Sequence, residues 1–175
     1  MRRRDLLAGV TGAGILGGAG VLHTQGIPFG SAVGEEPPHD PITLSGIDAP
    51  GSEGAPQRIP VPDRPTFLVL FATTCTVCIA EMPELAEASE RHPDVSFISV
   101  TAETRDYVDD ADLASWWEEH GGTWQVARDS SFELVRYYSR ATPTSVLFDA
   151  DGRIHWEETG KKTAEEIGQS IQELP

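Results

Sequence analysis

A chain of 175 residues has room for one ordinary domain and a tail, because domains cluster at about 100–150 residues. With 28 Asp and Glu against 13 Lys and Arg its formal charge is −15, and outside Arg2, Arg3 and Arg4 it has no basic stripe; a nucleic-acid partner is excluded, since phosphates are held by clustered Lys and Arg. The two cysteines, three positions apart, exclude the wide-spaced disulfide framework that staples small secreted domains, and so short a loop removes little entropy from the unfolded chain, which leaves chemistry as the better explanation of the pair.

The chain begins Met-Arg-Arg-Arg-Asp-Leu-Leu. A charged start before an apolar stretch is the pattern of an export signal, and Arg3-Arg4-Asp5-Leu6-Leu7 resembles the twin-arginine type, so residues 1–25 are read as that signal. Leu6–Leu22 holds 17 residues with six glycines, short and weakly apolar for a spanning helix of about 20. No cysteine follows it to carry a lipid. The signal is either removed or kept as a tether to the outer face of the cytoplasmic membrane. Residues 26–41 carry Pro28, Pro37, Pro38 and Pro41 among glycines and acids, a composition that resists helix and sheet and reads as a linker. The folded domain is expected over 42–175.

Within it, Ile42–Asp48 predicts a strand and Arg58–Val61 its return across a loop at Pro50–Pro56, an opening hairpin. Thr66–Phe71 is a continuous run of β-formers, the mark of a strand buried on both faces. Helical spacing follows from Thr76 to Arg91, a second buried strand at Val95–Thr101, a helix at Leu113–His120, a short strand at Thr123–Ala127 and a helix at Phe132–Ser139. Thr144–Asp149 and Arg153–Glu158 flank Asp151-Gly152, a hairpin turn. Thr163–Leu174 closes the chain as an amphipathic helix with Thr163 as N-cap. Alternating strands and helices that end in a hairpin and a helix describe a three-layer α/β fold with a mixed central sheet.

Phe71-Ala72-Thr73-Thr74-Cys75-Thr76-Val77-Cys78 sets a CxxC where a buried strand ends and a helix begins. Cys75 then sits at the helix N-terminus, where unpaired N–H groups and the macrodipole favour negative charge. That makes Cys75 the expected nucleophile, with Cys78 one turn further in as its less exposed partner. An unperturbed thiol, pKa about 8.5, is only roughly 3% thiolate at pH 7, and a fall to about 7 would make half of it reactive.

The segment Phe71-Ala-Thr-Thr-Cys-Thr-Val-Cys-Ile-Ala-Glu-Met-Pro-Glu-Leu85 resembles the active-site stretch of TlpA/ResA-like thioredoxin-fold thiol-disulfide oxidoreductases, and Ala141-Thr-Pro-Thr-Ser-Val-Leu-Phe-Asp-Ala-Asp-Gly-Arg153 resembles their second signature. The resemblance runs from about Ile42 to the end. It implies a thioredoxin-like α/β/α sandwich with an N-terminal β-hairpin and a helix-strand insertion, and a redox-active disulfide exchanged with exported client proteins and a redox partner protein. It implies that Pro143 is a cis-proline facing the disulfide, that Thr142 offers backbone hydrogen bonds to a bound client, and that Pro83 is the proline inside the helix. Glu81 matches the acid near the cysteines, and Val69 stands where many thioredoxins have a buried aspartate, so Glu81 is the proton-handling candidate. Thr74 departs from the tryptophan usual before the first cysteine, Thr76-Val77 from a dipeptide that commonly ends in proline, and Ile79 from a frequent basic residue, so the redox potential does not follow from the resemblance.

Two other activities fit the same scaffold. A peroxiredoxin-like peroxidase needs a threonine where Ala72 stands, and a copper carrier of the Sco type needs a CxxxC pair and a histidine partner. Zinc needs more ligands than one pair supplies, and the five histidines show no metal spacing; no cofactor or metal is expected. Trp116 and Trp117 are read as helix core with one ring partly exposed rather than a client groove. Glu103, Asp106, Asp109, Asp110 and Asp112 lack the order of a calcium loop and read as a solvated face and helix start. Glu81 itself, on a helix of an acidic protein, has a solvated surface position as its default. A monomer is expected. Residues 1–30 carry three Arg and one Asp, so the remainder stands at −17 with Lys161 and Lys162 as its only lysines; that balance resembles proteins of salt-accumulating halophiles.

Overall fold

The computed structural model describes residues 35, 37, 39–138 and 141–175. The export signal expected at 1–25 lies outside them, as does the linker of 26–41 apart from residues 35, 37 and 39–41. Seven strands form one mixed sheet in the order β4-β1-β7-β6-β5-β8-β9. They are β1 (Ile42–Gly46), β4 (Gln57–Ile59), β5 (Thr66–Phe71), β6 (Ser96–Thr101), β7 (Gln125–Arg128), β8 (Thr144–Phe148) and β9 (Ile154–Thr159). A separate two-stranded ribbon pairs β2 (Asp48–Ala49) with β3 (Ser52–Glu53). β5, β6 and β7 run parallel, while β1, β4, β8 and β9 join antiparallel.

All six residues of β5 are buried, which is what a strand covered on both faces requires. Its side chains alternate: Phe67, Val69 and Phe71 enter one core and Leu68 and Leu70 the other. The first core is closed by three helices, α1 (Thr76–Arg91), α2 (Asp110–Glu119) and α3 (Ala164–Gln172), through Met82, Leu85, Leu113, Trp117 and Ile167. Each such side chain taken wholly out of water contributes about 1.5–3 kcal/mol. α3 starts on a capping box in which Thr163 and Glu166 satisfy each other's backbone donors. Among the described residues no helix is long and apolar enough to cross a membrane.

The second core, with Leu44, Ile98, Val146 and Phe148, is covered by the segment after β7. There the helix expected at Phe132–Ser139 is not formed; the described part holds only a 3-10 turn, η1, at Leu134–Arg136. The buried Asp129 carboxylate accepts N–H bonds from Glu133, Leu134 and Val135 and starts the turn. Just beyond it Tyr138 enters the core instead of continuing a helix, and its hydroxyl meets His39 Nε2 at 2.9 Å. The first strand also stops earlier than expected, at Gly46, where a Cβ would lie 2.1 Å from the Ala55 carbonyl oxygen. Before the domain, Glu35 exchanges backbone hydrogen bonds with Ile154 at the start of β9. Gly152 supplies the positive φ, 80°, that the turn between β8 and β9 needs.

Candidate active site

β5 ends at Phe71, and the chain turns through a Cys75 N–H bond to the Ala72 carbonyl before entering α1. Cys75 is the N-cap of that helix: its backbone is extended, its carbonyl accepts from Ile79 N–H, and its Sγ accepts from Cys78 N–H at 3.1 Å. A helix N-terminus stabilises an anion, so a charge on this sulfur in the reduced pair would be favoured there. Cys75 and Cys78 are joined by a disulfide. Cys75 is half-buried and Cys78 only 3% exposed, so Cys75 is the more accessible sulfur of the pair.

The loop before β8 forms the opposite wall. The Thr142–Pro143 peptide is cis, and the Thr142 carbonyl oxygen lies 3.4 Å from Cys75 Sγ. A disulfide sulfur has no proton to give, so this is a contact that leaves the carbonyl free to accept from a backbone. Thr144 Oγ1 donates to the Ala141 carbonyl, and Gly160 N–H to the Pro143 carbonyl at 2.8 Å, fixing the loop from both sides. Beside Thr142 opens a groove of about 520 Å³ walled by Leu70, Val100, Phe132 and Val135.

Glu81, three residues beyond Cys78 on α1, is fully buried rather than solvated. Its Oε1 accepts the Lys162 backbone N–H at 2.7 Å, and its Oε2 has no hydrogen-bond partner. Burial pushes the carboxyl up from 4.5 to about 7, against the pull of the Lys162 N–H and of the Lys162 and Lys161 charges, with Glu84 adding a smaller upward push. A carboxyl so poised exchanges a proton near neutral pH. Val69, in the same core as Cys78, brings no carboxylate from β5.

Cys75, Cys78, Thr142 and Pro143 thus meet at one end of the sheet, with Glu81 on the buried side of the same helix. Of the acids read from the sequence as a solvated face and helix start, Glu103 departs from that reading and Asp109 fits it, while Arg128 was not singled out by its sequence. Glu103 is half-buried: its carboxylate accepts from Thr73 N–H, Thr73 Oγ1 and Thr101 Oγ1, holding the loop that presents Cys75. Arg128, with its side chain fully buried, donates to the Glu103 carbonyl and pairs with Asp110. Asp109 caps α2. Among the described residues no group of three or more His, Cys, Asp or Glu is placed to hold a metal ion. Trp117 is wholly buried and donates to the Pro50 carbonyl, while Trp116, half-buried, stacks on Phe71 and His120.

The sequence pattern of the Redoxin family matches residues 41–171. Thiol-disulfide oxidoreductase ResA of Bacillus thuringiensis subsp. konkukian is 26% identical over 111 residues, which is 62% of this chain and 62% of that protein. The chain therefore spans less than two thirds of the length of that relative. Sporulation thiol-disulfide oxidoreductase A of Bacillus subtilis is 27% identical over 123 residues, 69% of this chain and 74% of its own. Among solved structures, StoA from Bacillus subtilis superposes with a TM-score of 0.65 at 23% identity, covering 75% of this chain and 96% of that one. A DsbF homologue from Corynebacterium diphtheriae gives 0.69 at 19% identity, covering 87% and 97%. Both share the fold.

Proposed function

The chain belongs to the Redoxin family, and we propose that within it this protein is an exported thiol-disulfide oxidoreductase that exchanges disulfides with exported client proteins. The observation that carries the reading is a disulfide capping a helix, with the half-buried sulfur of Cys75 beside the free Thr142 carbonyl. The likeness to ResA and to the sporulation oxidoreductase supports it.

In the reducing direction the Cys75 thiolate attacks a client disulfide. A bond forms from Cys75 Sγ to one client sulfur, and the other leaves as a thiolate and takes up a proton. Cys78 then gives its proton to Glu81 and attacks Cys75 Sγ; the second client sulfur leaves, and the Cys75–Cys78 disulfide remains. Two electrons have passed to the client, and a redox partner protein returns them. The same steps run backwards oxidise a client dithiol, and the potential of the pair against that of its partners sets the direction. The client lies against Thr142 and Pro143, with apolar flanking side chains in the groove beside Phe132. Residues 1–25 act as the twin-arginine signal, which stays as a membrane tether if it is not removed, and 26–41 as the linker; the folded unit works as a monomer. The acidic balance, −15 with two lysines, is that of a protein from a high-salt cell.

Trapping tests the assignment of the two sulfurs. Cys78→Ser should accumulate mixed disulfides with clients, since the attack proceeds and its resolution does not, while Cys75→Ser should trap none. Equal trapping by both variants would overturn it.

A further inference from the structure

The chain has only two lysines against 28 acidic residues, and both stand at Glu81 and Glu84. In the turn between β9 and α3, Lys162 gives its backbone N–H to Glu81 and Ala164 gives its own to Glu84 at 3.0 Å. Lys161 Nζ, exposed, lies 3.4 Å from Glu84 Oε1. The Lys162 side chain, 7% exposed, folds back on its own turn. Its Nζ donates to the Gly160 carbonyl at 2.9 Å, sits 3.5 Å from Glu158 Oε2 and lies 5.8 Å from the centre of the Trp156 ring. Gly160 N–H in turn holds the Pro143 carbonyl.

We propose that Lys162 is a positioning residue for Glu81: its buried ammonium locks the Gly160 turn so that the backbone N–H stays on Oε1, and adds a positive charge to the surroundings of the carboxyl. One side chain thereby joins the proton-handling group on α1 to the Pro143 wall that faces Cys75. The inference rests on the reading of Glu81 given above. A lysine is well suited to the place, because its flexible stem lets the head reach the turn's carbonyls while its stem covers apolar surface. The charged groups acting on Glu81 among the described residues are Lys162 and Lys161 from the turn and Glu84 from its own helix, and the Lys162 ammonium is itself paired with Glu158 of β9 at 3.5 Å. Burial alone would hold the proton on Glu81; the Lys162 N–H on Oε1 and, after it, the Lys162 charge oppose that hold. In a chain of strong negative charge, distant acids are screened by salt, and a buried cation is not.

The full-length protein is compared with Lys162→Met, Lys162→Arg and Glu81→Gln. Two readouts are used: the carboxyl carbon resonance of Glu81 against pH, and the pH profile of client release from the mixed disulfide. Lys162→Met should move the Glu81 midpoint up by about one pH unit and slow release at pH 7 about fivefold, the fall in ionised fraction for that shift. Lys162→Arg should restore the midpoint. If Lys162→Met does not fold, Lys162→Gln, polar but uncharged, carries the same test. An unmoved midpoint, or a slowing equal at every pH from 5 to 9, overturns the inference. A release profile that survives Glu81→Gln overturns the reading of Glu81 itself; a profile lost in Glu81→Gln but untouched in Lys162→Met sinks Lys162 alone.

Discussion

Glu81→Gln in the oxidised protein, where neither cysteine titrates, isolates the energy of burying this carboxyl. Its folded-state pKa is raised from 4.5 to about 7, mainly by burial. Below about 4.5 it is protonated in both folded and unfolded chains and its contribution to stability is complete. As pH rises the unfolded chain loses the proton first, so stability falls until the folded carboxyl also ionises near 7. The interval corresponds to about 3 kcal/mol of stability lost across that window. Glutamine does not titrate and keeps an oxygen for the Lys162 N–H. Its amide also brings donors to the place of the unpartnered Oε2, a cost that is the same at every pH. The slope, not the offset, is therefore decisive. Urea unfolding from pH 4 to 8 in fixed molar KCl should show the variant gaining about 3 kcal/mol on wild type across the range. Glu166, held below the usual range by the Thr163 backbone N–H, titrates alike in both proteins and cancels, and Glu84, held low by the Ala164 N–H, is ionised before Glu81 begins to titrate. A difference that stays constant from pH 4 to 8 would refute the reasoning.

Asp129→Ala removes the acceptor of three N–H groups at η1 and should cost about 3 kcal/mol in urea unfolding; a loss under about 1 kcal/mol would show that the turn finds other acceptors. Replacing Arg3 and Arg4 by lysine should leave the protein inside the cell in a fractionation assay, because a twin-arginine signal is read by a receptor and not as bulk charge; unchanged export would contradict it. The melting temperature should rise between low salt and molar KCl, since a chain at −17 beyond residue 30 repels itself when screening is removed, and a flat or falling value would count against the salt-adapted reading.

The elements that position the disulfide were legible because their signals are local. The all-apolar run of β5, the 3.6-residue spacing of α1 and the turn residues Asp151 and Gly152 each lie within one short window, and the bounds of β5 and α1 coincide with those expected. The helix expected at Phe132–Ser139 failed for a reason that its own window hides: Tyr138 finds a better place in the core against Phe148 and His39 than on a helix face.

Glu81 shows the larger gap. Helical spacing put it on the face of Cys78, yet a glutamate in an acidic chain is solvated by default, and nothing near it in the sequence says otherwise. Its burial depends on a backbone N–H 81 residues away, in a turn whose place is set by β9 and α3 closing over α1. A buried carboxyl with one oxygen unpartnered costs stability wherever the protein needs only to fold. The sequence did hold one mark of that partner, since a chain that spends arginine almost everywhere keeps its two lysines side by side in this turn. The flexible stem of Lys162 brings its ammonium to the Gly160 carbonyl beside the Trp156 ring. That seat exists only once β9 and α3 close over α1, a property of the folded chain that spacing alone does not contain.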